Sequence, residues 1–247
     1  MPIILPGVGS GSGLTLLAIV QDVCAELGIQ QPPIVIGSQD PQIQQLWALV
    51  NRLGNDLVRE FEWQRLRKNT SVNTVAGQTT YDLPSDWNRQ ISQTEWNRTM
   101  RRPMIGPISA QGWEAYKGAY LGAGIETSFR IQGGKLVLLD EPPAGDELAY
   151  EYISSNWVVT ITGSGRKKFL ADDDSCVFDD QLMLEGLKLR WRKAKGLAYD
   201  EADYIRILDA CKSQDQSAPV LRLGSTIGER LLNEYNIPEG GFGVTHA

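Results

Sequence analysis

The chain has 247 residues, 42% of them hydrophobic and 22% charged, enough apolar material for one elaborate domain or two small ones and too much for a disordered chain. Lys and Arg number 24 against 30 Asp and Glu, a formal charge of −6, whereas a protein that grips nucleic acid through its phosphates usually carries a basic surplus. The single histidine, His246, stands one residue from the C-terminus, which removes most Ser-His-Asp and Cys-His chemistry, and the scattered Cys24, Cys176 and Cys211 contain no C-x-x-C that would suggest a zinc knuckle or a disulfide framework.

Residues 1–13, MPIILPGVGSGSG, lack the basic flank and long apolar core of a secretion signal. No run along the chain is apolar for long enough to span a bilayer, so the reading is a soluble, unexported protein without membrane contact. The early glycines read as a flexible lead-in. Counted from Gly7, a G-x-G-x-x-G frame meets Ser12; counted from Gly9, it meets Leu14; and no G-K-[ST] follows.

Leu16, Val20, Val23, Cys24 and Leu27 share one helical face, which predicts a first helix over about 14–27 with Gly28 as its stop. After Pro32-Pro33, Asp40 followed by Pro41 has the form of an N-cap with proline in the first turn. Ile43, Leu46, Trp47, Val50, Leu53, Leu57, Val58 and Phe61 then repeat on one face and predict a second, longer helix.

The rhythm changes near Leu66. TTYDLP alternates in the period of a strand. SFRIQGGKLVLL places Phe129 and Ile131 before Gly133-Gly134 and Leu136 and Leu138 after it, the pattern of a tight hairpin, since both central positions of such a turn need positive φ. Leu148, Tyr150 and Tyr152 continue the alternation, and the whole of 127–153 reads as an antiparallel meander. Between these strands Ser109 is placed to cap a short helix through Trp113 and Tyr116, behind a loop carrying Arg98, Arg101 and Arg102.

Residues 162–175 read as an exposed loop, and two helices follow at about 179–195 and 200–215. The tail, 216–247, holds apolar residues among prolines and glycines without a long element of its own. The fold class is therefore α+β: a helical bundle from 14–65 and 176–215, an inserted antiparallel β domain at 66–161, and an extended C-terminal arm at 216–247.

The stretch DDDSCVFDDQLMLEGLKLRWRKAKG, residues 172–196, raises the question of chemistry. Its aspartates lack the D-x-D-x-D-G spacing of a calcium loop, and a single run cannot show the convergence a two-metal site needs. Acids leading and bases trailing are what a helix dipole favours. On a helical wheel Met183, Leu184, Leu187, Trp191 and Ala194 share one side, while Phe178, Leu182 and Leu189 lie roughly opposite. A helix apolar on two sides is buried on two sides, either as the centre of its own bundle or against another subunit. The interface residues expected on the second reading are Phe178, Leu182, Leu189 and Trp191. No catalytic residue, metal ligand or cofactor site emerges, and the seven tryptophans read as core and interface anchors.

Seven stretches, LTLLAIVQDVCAELGI, GSQDPQIQQLWALVNRLGNDLVREFEWQRL, YDLPSDWNRQIS, NRTMRRPMIGPIS, FRIQGGKLVLL, LAYEYISSNWV and GLKLRWRKAKGLAYDEA, in this order, resemble the head–tail adaptor proteins of tailed bacteriophages. The similarity is to the tail tubular protein A type and related head-completion connectors of short-tailed phages, and it runs over about Leu14 to Asp215. The resemblance implies a non-enzymatic virion protein, assembled in the host cytoplasm, that forms a dodecameric ring of copies of itself beneath the portal. Such a ring closes the DNA channel after packaging and presents a surface to the tail nozzle, with genomic DNA passing through unread. It also implies a C-terminal arm reaching the portal, for which 216–247 supplies Leu221, Leu223, Leu231, Leu232, Tyr235 and Phe242. The rival readings are another tail-ring or baseplate protein, a nucleic-acid-binding module using Arg98, Arg101, Arg102 and the 190–195 run, and a carboxylate-metal enzyme at Asp172–Asp174.

Overall fold

In the computed structural model, which describes residues 13–118 and 127–215, the chain alternates helical and β segments. Helix α1 spans Leu16–Leu27 and α2 spans Pro41–Glu60. Strands β1 (Arg67–Asn73), β2 (Thr80–Asp82), β3 (Trp87–Gln90), β4 (Trp96–Asn97) and β5 (Arg102–Pro103) follow, then helix α3 (Ala110–Gly118). Strands β6 (Phe129–Gln132), β7 (Lys135–Leu138), β8 (Glu147–Ser154), β9 (Val158–Val159), β10 (Gly165–Arg166) and β11 (Ser175–Cys176) lead to helices α4 (Asp180–Lys195) and α5 (Ala202–Asp215). The α+β class read from the sequence is the class of the structure.

Capping chemistry sets the helix ends. The Thr15 hydroxyl accepts from the Ala18 amide, the Asp40 carboxylate from Gln42 N–H, and the Asp179 carboxylate from Gln181 and Leu182 N–H. Gly28 and Gly196, both left-handed, close α1 and α4. Helix α4 packs on α1, α2 and α5. Leu16, Ile19, Val23, Leu46, Val50, Leu53 and Leu187 are fully buried among these helices. Near α4 the backbones approach closely at Gly186, where a Cβ would stand 2.8 Å from the Leu53 methyls.

The strands form separate sheets. Strand β8 is the centre of a five-stranded sheet, with β1 along one side and β3 and β4 along the other, and β5 beyond β4. The hairpin β6–β7 turns at Gly133 and Gly134 with φ of 60° and 73°, and belongs to a second sheet in the order β2-β7-β6. The expected continuous meander over 127–153 is thus broken. Strand β8 leaves the hairpin and pairs instead with β1, whose register runs from Arg67↔Ile153 to Asn73↔Glu147. Leu148, Tyr150 and Tyr152 still pack with the hairpin residues Phe129, Leu136 and Leu138, but face to face across two sheets.

Two contacts fix the large sheet to the bundle. The Arg89 guanidinium, on β3, donates to the carbonyls of Val58 (2.8 Å) and Phe61 (2.6 Å), a cation set on the negative end of α2. Ile91 and Ile153 join the buried cluster of the helices, so the sheet's inner end and the bundle share one core.

Residues 162–175 differ from a plain exposed loop. Positions 161–168 are exposed, but Phe169 is completely buried and Asp174 nearly so, and the segment's ends pair with β9. The reason is apolar: Phe169 packs edge-on against Trp157, ring centroids 5.0 Å apart, inside the bundle core.

Candidate interaction surfaces

The acidic run that opens the 172–196 stretch is engaged in holding backbone. Asp172 accepts from the amides of Val35 (3.1 Å) and Ile36 (2.8 Å). Asp174 accepts from Leu170 (3.0 Å) and Ala171 (2.9 Å), with Arg166 at 3.5 Å. Asp179 caps α4, and Asp180 accepts from the Leu14 amide at 2.8 Å. Backbone N–H donors around a carboxylate satisfy both partners without a cation. Among the described residues no three His, Cys, Asp or Glu side chains come together as a metal-binding group.

The basic end is engaged as well. Lys188 bonds to Glu26 and Glu185, each at 2.6 Å, and Arg190 to Asp56 at 2.9 Å. Lys193 pairs with Glu201 and lies over the Tyr199 ring, and Lys195 lies 4.4 Å over Trp191. Arg192, the remaining cation of the run, has no ion-pair partner among the described residues.

Helix α4 is the central helix of its own bundle. Phe178, Leu182 and Trp191 lie in the core formed with α1, α2 and α5, at 5%, 0% and 4% exposure. The single chain therefore covers both apolar sides of the helix, because α5 lies along the second side. Of the four residues expected at a subunit interface, Leu189 alone borders an opening, a groove of about 630 Å³ between α2, α4 and α5 floored by Leu49, Leu189 and Leu208. Ile205 and Tyr204 edge this groove, and Arg52, Asp56, Glu60 and Glu201 rim it.

A second hollow, about 530 Å³, opens on the large sheet between Asn69, Trp96, Arg98, Arg101 and Glu151. Arg98 there is paired with Glu147 at 3.1 Å, while Arg101 and Arg102 are exposed. The most exposed large apolar side chain among the described residues is Ile161, at 84%, in the turn between β9 and β10.

Both hollows open onto the surface of the chain. The family model of the SU10 adaptor protein matches residues 14–222. The chain belongs to the SU10 adaptor protein family. As a member of that family it is a bacteriophage head–tail adaptor with a structural role, a component of the virion. No curated protein matches the chain.

For an SU10 adaptor the sequence reading located the acidic and basic halves of α4 correctly but not their partners. Asp56 and Glu26 come from other helices and Glu201 from the turn before α5, and nothing in a linear run signals which distant carboxylate will face it. The arm residues Leu221, Leu223, Leu231, Leu232, Tyr235 and Phe242 lie outside the described residues. No membrane-crossing helix, long and apolar enough, occurs among the described residues.

Proposed function

We propose that this protein forms a ring of identical copies, a dodecamer, between the portal and the tail of a short-tailed phage. The ring closes the DNA channel after packaging and gives the tail its attachment surface. The observation that carries this reading is the family match, which extends over bundle and sheets alike. Three physical features support it. The excess of acids gives a surface that repels the DNA backbone, so DNA passes through without being held. On helix α4, Lys188, Arg190 and Lys193 are paired with carboxylates of the same chain. The surfaces left open are shallow, apolar and charged, suited to neighbours of similar size rather than to a small substrate.

In this reading residues 216–247 reach the portal, with Leu231 and Leu232 among the anchors, and the chemistry is that of assembly alone, without cofactor or turnover. A segment that orders on docking binds at the entropic cost of its folding, offset by apolar anchors in pockets. Electron microscopy of purified portal, with and without the full chain, tests the proposal. Added ring density beneath the portal is the expected result; an unchanged portal would contradict it.

A further inference from the structure

The exposed turn at 161–170 and the outer face of α5 differ in charge and share exposed apolar side chains. The turn, ITGSGRKKFL, carries Arg166, Lys167 and Lys168 and no acid, and it exposes Ile161 (84%) and Leu170 (46%). Arg166 sits near the buried Asp174, whereas Lys167 and Lys168 have no ion-pair partner among the described residues. From Asp200 to Asp215 the α5 segment holds five carboxylates against Arg206 and Lys212, and exposes Ile205 (47%); Glu201 pairs with Lys193 and Asp203 with Arg206, while the exposed Asp209 has no ion-pair partner among the described residues.

The two surfaces lie on opposite flanks of α2. Trp47 donates to the Phe169 carbonyl (3.1 Å), Asn51 accepts from the Phe169 amide (2.8 Å), and Asn55 accepts from Trp157 Nε1 (3.1 Å). These three positions hold the segment that carries the turn. Leu49, Arg52, Asp56 and Glu60 instead line the groove against α4 and α5. At about 100° per residue, the first stripe and the second point nearly opposite ways.

We infer that the 161–170 turn of one copy docks on the α5 face of the next, with Ile161 entering the groove edged by Ile205 and with Lys167 and Lys168 toward Asp209, one helical turn on from Ile205. The inference rests on the ring reading above and supplies its lateral contact. Unlike surfaces on opposite flanks of one molecule make a heterologous contact, which repeats from copy to copy and closes into a ring when the rotation allows. A DNA backbone is the less favoured occupant of the turn. It would gain from the two lysines but would leave Ile161 and Leu170 uncovered, and the acidic face of α5 unused.

The test uses the full chain, alone and with portal. An Ile161→Cys chain mixed with an Ile205→Cys chain is expected to give a disulfide-linked dimer under mild oxidation that neither variant gives alone. Reversal of Lys167 and Lys168 to Glu is expected to weaken self-association roughly tenfold or more, and Asp209→Lys in the same chain to restore part of it. If the unaltered chain assembles but no mixed disulfide forms and the lysine reversal has no effect, the inference fails and the ring reading stands. If the unaltered chain assembles neither alone nor on portal, both fail. If the lysine reversal removes salt-dependent binding to duplex DNA and leaves assembly intact, the turn is a DNA surface and the inference is overturned.

Discussion

The indole of Trp157 lies flat against the backbone of Gly54, so close that a Cβ at that position would stand 2.3 Å from the ring. The ring, completely buried, also donates to Asn55 at 3.1 Å and meets Phe169 edge-on. This contact joins the segment after the large sheet to the second helix. Alanine in a helix is ordinarily better than glycine by about 0.5–1 kcal/mol. Here the sign reverses: Gly54→Ala is expected to destabilise the protein by about 1–3 kcal/mol through overpacking, read as a lower midpoint in urea unfolding.

Asp86 should impose an acid limit on stability. Burial alone would raise its pKa, but hydrogen bonds from Lys68, Ser154 and Tyr152, at 2.6, 2.7 and 2.8 Å, outweigh it and hold the pKa at about 2, below the usual 3.8. A carboxylate with a depressed folded pKa contributes in full above its unfolded value and loses that contribution as pH falls through the folded one. The stability at stake is on the order of 2 kcal/mol. Asp86→Asn should therefore flatten the fall in stability between about pH 5 and about pH 2, as measured by denaturant unfolding at each pH. An unchanged slope would show that other carboxylates dominate the limb.

The structural use of Asp172 makes a separate forecast. Asp172→Ala strands the Val35 and Ile36 amides and should cost about 1–3 kcal/mol, with Asp172→Asn costing less because one acceptor oxygen survives. Millimolar Mg²⁺ or Mn²⁺ should leave the thermal midpoint where it is. An upward shift would revive the carboxylate-metal reading.

What could be read from the chain and what could not divide along a physical line. Asp40-Pro41 and Gly28 are local signals, and the helix ends sit where they put them. The Gly133-Gly134 turn is equally local. Strand β1 gave no signal. RKNTSVN has a single apolar residue, and its place is set by a backbone ladder with β8, some eighty positions on. Strand β8 has the period of a strand whichever sheet it joins, so its alternation could not reveal that it leaves the hairpin. The two apolar sides of α4 were legible, but the cover for the second side was not, because Tyr204, Ile207 and Leu208 on α5 form a weak stripe within a mostly polar helix.

The arm assigned to the portal can be separated from the body. Leu231→Asp combined with Leu232→Asp should leave the unfolding transition of the chain unmoved and weaken portal docking by about tenfold or more, read by a binding titration. Docking at full strength would remove the arm from the interface.

The central claim is that this family member is an adaptor seated on the portal. Native mass spectrometry of the full chain mixed with portal from the same phage tests it most directly. The account predicts a complex with one adaptor copy for each portal subunit, whether or not the free chain is a monomer. Portal and adaptor flying as separate species, with residues 216–247 present or removed, would contradict it.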